Sequence, residues 1–258
     1  MKIHVISLAN AHQRRQHITQ EFGKHGVDFE FFDAITPSQV PLLAQKFSIN
    51  IQNSELTSGE LACLFSHVSL WQKAKDENIE HLAVFEDDVY LGENTKLFLG
   101  NESWIPNACG LLKIEHFIDR LYLGDTIQTF QGRHIKQLKE FNWGTAGYII
   151  HNDMIDIMMK LLKDQFEIQN IPIDHLMFEL GIKQHPSKIY QLSPALCIQS
   201  DRPRHQGNLL STLEAERQAR RASIPKTKLS IQQKVFKELV RPFVQLKDLL
   251  TKQTVKFK

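Results

Sequence analysis

The spacing of apolar residues changes several times along the first third of the chain, and each change predicts an element. Ile3 to Leu8 is β-branched and apolar and reads as a strand; a polar segment of helical character follows from Ala11 to Gly23. Gly23 and Gly26 punctuate its end, and Phe29 to Ala34 reads as a second strand, giving a β-α-β opening. Residues 36–53 are polar and predicted to be irregular. Thr57 or Ser58 then offers a helix cap, with Glu60 or Leu61 in the first turn. Leu61, Leu64, Phe65, Val68, Leu70, Trp71 and Ala74 recur at helical spacing up to about Asn78. His81 to Phe85 is a short apolar strand that stops abruptly at three acids, Glu86, Asp87 and Asp88.

Further strands are predicted at 110–114 and 145–150, with weaker candidates at 120–123 and 188–192, alternating with helices at 153–163 and 174–180. This alternation points to an α/β fold with a mixed or mainly parallel sheet and helices on both faces. The chain has 258 residues, 42% of them hydrophobic, enough for one large core. Residues 1–212 are read as the catalytic domain and 213–258 as a charged, helical tail. From Ser230 that tail is amphipathic, with Val235, Phe236, Leu239, Val240, Phe243, Leu246 and Leu250 on one broad face. Pro242 interrupts the pattern, which predicts two shorter helices.

Charge sharpens this division. From Pro225 onward nine basic residues face only Glu238 and Asp248, so the tail is basic and the body before it mildly acidic. Such a tail suits either an anionic membrane surface or an oligomerisation contact. The three cysteines, Cys63, Cys109 and Cys197, are far apart and form no CxxC pair, which argues against a disulfide framework or a zinc ribbon and favours a reducing compartment. The opening apolar stretch is too short for a signal peptide, and no uncharged run approaches the roughly 18 residues that cross a bilayer. A cytoplasmic or peripheral protein is therefore expected.

Three consecutive carboxylates after a buried strand repel one another and are costly to desolvate. Either a cation sits among them, or Asp87 and Asp88 cap a following helix or lie in a solvated turn. A cation bound by hard oxygen ligands would be magnesium or manganese, ions that bridge to nucleotide phosphates. In open α/β sheets, ligands collect at the carboxyl ends of strands, where these acids fall.

The segment from Ser58 to Trp71 (SGELACLFSHVSLW), followed by Leu82 to Val89 (LAVFEDDV), resembles the core of glycosyltransferase family 25, which contains bacterial lipooligosaccharide galactosyl- and glucosyltransferases. Also similar are Val5-Ile6-Ser7-Leu8 with Arg14-Arg15, Phe32-Asp33-Ala34, the stretch Gly144 to Ile150, and Pro172-Ile173-Asp174, all in the expected order across about residues 1–212. The resemblance implies a GT-A-like, Rossmann-like fold and a metal-dependent, inverting transfer from a UDP-hexose to a hydroxyl of a growing lipid-linked glycan. It implies that Glu86 and Asp88 are the outer positions of the acidic motif, with Asp88 on the metal and Asp87 reaching the donor. Ser7, Leu8, Arg15 and Asp33 are implied donor-side positions.

Inversion requires a base opposite the departing diphosphate. Asp174, at the start of a helix, is the first candidate and Asp153 the second; each is equally read as a helix cap, and Glu60 as part of a capping box. Ser66 and His67 are either donor-facing or ordinary buried residues. Lys113, inside an apolar strand, needs an anionic partner, which the diphosphate or the acidic triplet would supply. Thr145, in a run of small residues beside Trp143, offers close backbone approach to a ligand, or a strand bulge. Gln199 is placed in the donor cleft and His205 as a late metal ligand. Two other classes compete: a metal-dependent phosphohydrolase, which would want a second Asp/His cluster, and a non-catalytic glycan-binding relative, which would have lost the acidic motif. Nothing in the charge pattern suggests a nucleic-acid partner.

Overall fold

A computed structural model describes residues 1–200 and 231–258. Its centre is an eight-stranded mixed sheet in the order β2-β1-β3-β10-β5-β11-β9-β8. These strands are β1 (Lys2–Ser7), β2 (Glu30–Asp33), β3 (His81–Glu86), β5 (Leu111–Lys113), β8 (Leu123–Phe130), β9 (Arg133–Leu138), β10 (Gly147–His151) and β11 (Ile189–Ser193). Strands β2, β1 and β3 are mutually parallel, and β10 runs antiparallel to both β3 and β5. A smaller sheet, β4 (Val89–Leu91), β12 (Cys197–Gln199) and β6 (Glu115–His116), adjoins the carboxyl end of β3.

The pleat of β3 determines which helix each of its side chains meets. Leu82 and Val84 belong to a core with Leu64, Phe65 and Val68 of α3 (Ser58–Asp76) and with Ile155 and Met158 of α5 (Asn152–Gln169). Ala83 and Phe85 belong to a second core with Ile18 and Phe22 of α1 (His12–His25) and Phe98 of α4 (Thr95–Leu99). Successive strand residues face opposite sides, so helices cover both faces, as expected.

Thr57 caps α3 through a reciprocal box: its Oγ1 accepts from Glu60 N (3.1 Å) and Glu60 Oε2 accepts from Thr57 N (2.9 Å). Glu60 is thereby committed to the cap rather than to catalysis. The polar region 36–53 is not wholly irregular. It holds a 3₁₀ turn at Pro37–Gln39 and the helix α2 (Val40–Phe47), started by Pro41 in its first turn, where the missing N–H costs nothing. The short apolar face Val40, Ala44 and Phe47 is buried against the α3 core. Strands β8 and β9 form a hairpin around Gln131 and Gly132, both at positive φ (48° and 75°), the backbone that favours glycine in two-residue hairpin turns.

After β10 the chain enters α5 and then α6 (Ile173–His175), which continues through a π-helical turn at Leu176–Leu180 into α7 (Gly181–Gln184). In the tail, one helix, α8 (Ile231–Thr251), runs through Pro242, contrary to the two helices expected. The proline removes one i→i−4 bond without ending the helix. Beyond it, β13 (Gln253–Thr254) pairs with β7 (Arg120–Leu121), and Val255 is buried. Tyr122 Oη donates to Asp248 Oδ1 (2.5 Å), and Lys252 pairs with Glu140 at 2.9 Å. The end of the tail is thus built into the body. On α8, Leu239, Phe243, Val244, Leu246, Leu249 and Leu250 are exposed. No helix among the described residues is long and apolar enough to cross a membrane.

Candidate active site

The acidic triplet lies where the sequence suggested, at the carboxyl end of β3, but its members separate. Glu86 continues the Leu82–Val84 face toward α3, where Thr145 Oγ1 donates to its Oε1 (2.8 Å) and His67 Nε2 lies 3.8 Å away. Asp87 turns toward α1: its Oδ2 accepts from Ser7 Oγ (2.7 Å), and its Oδ1 meets Arg14 Nη1 (2.5 Å). The same Arg14 nitrogen is 3.8 Å from Asp88 Oδ2, and Gln199 Nε2 reaches Asp88 Oδ1 at 3.4 Å. Ser200 N also donates to the Asp88 carbonyl (2.8 Å), tying β12 to the turn. Asp87 and Asp88 are thus the two members of the triplet that Arg14 approaches, while Glu86 faces α3.

Burial, then the charge of Glu86, raises the Asp88 carboxyl to about 7, with Arg14 pulling the other way. Arg14 is held charged by Asp87 and Asp88, which outweigh its own partial burial. A buried carboxyl whose ionised form is disfavoured by burial and by Glu86 sits where positive charge is in short supply. Its two oxygen donors fit a hard divalent ion, magnesium or manganese, and Asp87 and Asp88 are the residues that would hold it.

The arginine that meets the triplet is Arg14 rather than the expected Arg15, and helical spacing points to it. Arg14, His17 and Glu21 lie on one side of α1 and read successive positions of the opposing turn and strand: Asp87, the Val89 carbonyl (2.9 Å from His17 Nε2) and the Leu91 N–H (3.0 Å from Glu21 Oε1). Arg15 instead clamps strand ends. It donates to the Ser7 carbonyl (2.9 Å) and the Leu8 carbonyl (3.1 Å), pairs with the exposed Asp33 carboxylate, and stacks over Phe31 at 4.8 Å. Ser66 is likewise structural: its Oγ accepts from Ile35 N (2.8 Å) and donates to the Ala62 carbonyl (2.7 Å), fastening the loop after β2 to α3.

Lys113 does not reach the triplet. It is fully buried and pairs with Glu115 (2.7 Å) and the Gly144 carbonyl (2.5 Å), 4.6 Å above the Phe178 ring. Glu115 Oε2 in turn accepts from Ala146 N (3.1 Å). This pair holds the Gly144–Ala146 turn from below. Gly144 has φ 81°, and a Cβ there would lie 2.8 Å from both Glu115 Oε1 and Phe117, so glycine is required on two counts. The turn presents Thr145 to Glu86 and Gly144 N to Asp174 Oδ2 (3.3 Å). Asp174 Oδ1 also accepts from His175 N (3.0 Å). Beside Asp174, Phe141, Trp143 and His175 form a ring cluster with centroids 4.4–5.3 Å apart, Trp143 being 40% exposed.

Asp153 is removed from the list of bases by register. His151 pairs with His81, at the opposite end of β3 from Glu86, about 17 Å away at 3.3–3.4 Å per residue. Asp153 sits two residues further on, exposed in the first turn of α5, where the His151 side chain caps its N–H. His205 lies outside the described residues. The site thus gathers Ser7, Arg14, Asp87, Asp88 and Gln199 on one side of β3, and His67, Glu86, Thr145 and Asp174 on the other.

An α/β chain with a carboxylate pair at the carboxyl ends of its parallel strands carries its candidate site where ligands collect in such sheets. Residues 1–177 match the family described as glycosyltransferase family 25 (LPS biosynthesis protein). The chain belongs to glycosyltransferase family 25. It is 37% identical to the lipooligosaccharide biosynthesis protein lic2B of Haemophilus influenzae over 83% of this chain and 82% of that one. It is 36% identical to the lacto-N-neotetraose biosynthesis glycosyltransferase LgtB of Neisseria meningitidis serogroup B, over 77% and 75% respectively. A solved glycosyltransferase involved in glycosylation of the PBCV-1 major capsid is similar at TM-score 0.42 and 13% identity, over 79% of this chain and 96% of that one.

Two predictions follow from this geometry. Lys113→Met leaves Glu115 buried and uncompensated and is expected to cost about 3–5 kcal/mol, whereas Lys113→Met combined with Glu115→Gln should recover most of it. Denaturant unfolding of both variants checks this, and equal losses would contradict a buried pair. The raised Asp88 carboxyl means that, between its ordinary 3.8 and about 7, the folded state holds a proton the unfolded state has lost. Stability without metal therefore falls as pH rises through that window. In chelator, Asp88→Asn should gain in melting temperature relative to wild type between about pH 5 and about pH 8; a constant difference would mean an ordinary carboxylate.

Proposed function

We propose that this chain is a UDP-sugar-dependent hexosyltransferase that transfers galactose or glucose, with inversion, to an outer-core sugar of lipooligosaccharide. The observation that carries the reading is the Ser7–Asp87–Arg14–Asp88 cluster at the carboxyl ends of β1 and β3, with a third carboxylate, Asp174, supported across the Gly144 turn. The relatives named as lipooligosaccharide and lacto-N-neotetraose biosynthesis proteins support the choice of acceptor.

Bound manganese or magnesium supplies positive charge against the departing diphosphate. Asp87 and Asp88 would hold that ion, Ser7 keeps Asp87 oriented, and Arg14 adds a second positive charge for phosphate oxygens. Gln199 fixes the Asp88 carboxyl. On the other side, Asp174 accepts the acceptor hydroxyl's proton as it attacks, its position set by the Gly144 and His175 N–H groups. Trp143 offers an aromatic face to a sugar ring next to that base.

Calorimetric titration with UDP-galactose and UDP-glucose, with and without manganese, tests the donor site. Wild type should bind one of them only with the metal, and Asp88→Ala, still folded by circular dichroism, should lose at least tenfold in affinity. Binding indifferent to both metal and Asp88 would defeat the mechanism and leave a non-catalytic relative as the better description.

The tail supports a further element of the reading, a peripheral position at the inner face of the bacterial inner membrane. Helix α8 exposes Leu239, Phe243, Leu246 and Leu250 on a basic segment that the body grips at its C-terminal end. Such a helix binds anionic lipid through apolar burial plus about 1 kcal/mol per basic residue near the surface. Sedimentation with phosphatidylglycerol vesicles should exceed that with phosphatidylcholine and fall severalfold in Phe243→Asp/Leu250→Asp. Equal sedimentation of that variant would instead favour a protein contact.

A further inference from the structure

We infer that Cys63, His67 and Glu86 form a binding site for a thiophilic divalent cation, zinc, distinct from the oxygen-lined pair Asp87 and Asp88. One ligand atom from each of the three lies within 4.8 Å of the others, and His67 Nε2 is 3.8 Å from Glu86 Oε1. Cys63 and His67 stand four residues apart on α3, hence on one face, opposite the end of β3. Tetrahedral zinc, with bonds of about 2.0–2.3 Å, holds its ligand atoms about 3.3–3.8 Å apart, so closure requires movements of about 1 Å.

The surroundings match what a zinc ligand set needs beyond its own atoms. The Tyr148 hydroxyl lies 2.8 Å from His67 Nδ1 and is itself fixed by Trp71 Nε1 at 2.9 Å. In the tautomer whose Nδ1–H donates to that oxygen, the Nε2 lone pair is left on the Glu86 side, and metal binding would select that tautomer. Thr145 orients the Glu86 carboxylate. Partners of this kind set the tautomer and direction of metal-binding groups. Glu86 and Cys63 are half-buried, and three protein ligands from among the described residues make the ligand count of a zinc site that completes its tetrahedron with a fourth group. A sulfur, nitrogen and oxygen set favours zinc over magnesium or manganese, which take oxygen. The other thiols do not compete: Cys109 and Cys197 are buried, and burial pushes both well above the usual thiol range. The remaining mixed cluster among the described residues, Glu80, His81 and Glu102, lacks sulfur.

Glu86 being adjacent to Asp87, zinc here would fix the end of β3 from the α3 side, yet the inference does not depend on the donor reading. Cobalt(II) titration of the full chain in excess magnesium provides the test. Expected is a near-ultraviolet thiolate-to-cobalt charge-transfer band that saturates at one equivalent and is displaced by zinc. It should vanish in Cys63→Ser, weaken at least tenfold in affinity in His67→Gln, and persist in Asp88→Ala, which separates it from the donor site. No band on folded wild type, or a band that survives Cys63→Ser, would overturn the assignment.

Discussion

Mutual repulsion among three adjacent carboxylates is the constraint around which this molecule is organised. At the end of a buried strand, where solvent screens poorly, three like charges in a row are tolerable only if they are drawn apart and compensated. The pleat of β3 does the first, sending Glu86 toward α3 and Asp87 toward α1. Compensation is then unequal. Arg14 serves Asp87 closely and Asp88 at a distance, and what is left over appears as the high affinity of Asp88 for a proton. A carboxyl held toward its protonated form near neutrality by burial and a neighbouring acid is one whose ionised form lacks compensation from Arg14 alone.

The second side of the site depends on a different buried pair. Lys113 and Glu115 touch no solvent, and their bonds to the Gly144 carbonyl and Ala146 N–H make the turn before β10 rigid from beneath. Glycine at position 144 lets that turn approach the pair closely enough for both bonds to form. Because β10 is antiparallel to β3, the start of β10 and the end of β3 meet, and Glu86 N donates to the Ala146 carbonyl. A rigid turn at that point fixes Thr145 on Glu86 and Gly144 on Asp174 together, so the spacing between the two halves of the site is set by an ion pair that faces neither.

Much of this was readable in the sequence, and the reason differs by element. The β-α-β opening, α3 with its Thr57 cap, and β3 follow from periodicity and local hydrogen bonding, which a short window contains. The triplet's position at a strand end was legible for the same reason. What was not legible has two causes: Lys113, read as a partner of the diphosphate or the triplet, finds Glu115 two residues on along its own face, while Asp153 was misplaced because the antiparallel direction of β10 is invisible locally. Arg14 sits between. Its spacing to His17 and Glu21 marked a shared face, but only the sheet shows that this face meets Asp87.

The tail shows how a composition-based expectation and a structure differ in kind. Basic charge and an apolar stripe predicted a segment made for another surface, and α8 exposes Leu239, Phe243, Leu246 and Leu250 of that stripe. Yet the residues after it pair with β7 and bury Val255, and Arg120 donates to the carbonyls of Leu249 and Lys252 at the helix end. Such contacts satisfy carbonyls that a helix C-terminus otherwise leaves open. They also fix the direction in which the exposed face points relative to the sheet. A helix tethered only by a flexible linker would dock in any orientation; one whose C-terminus is gripped by Arg120 and Tyr122 presents its apolar side at a set angle to the body. Orientation, rather than affinity alone, is what that anchoring contributes.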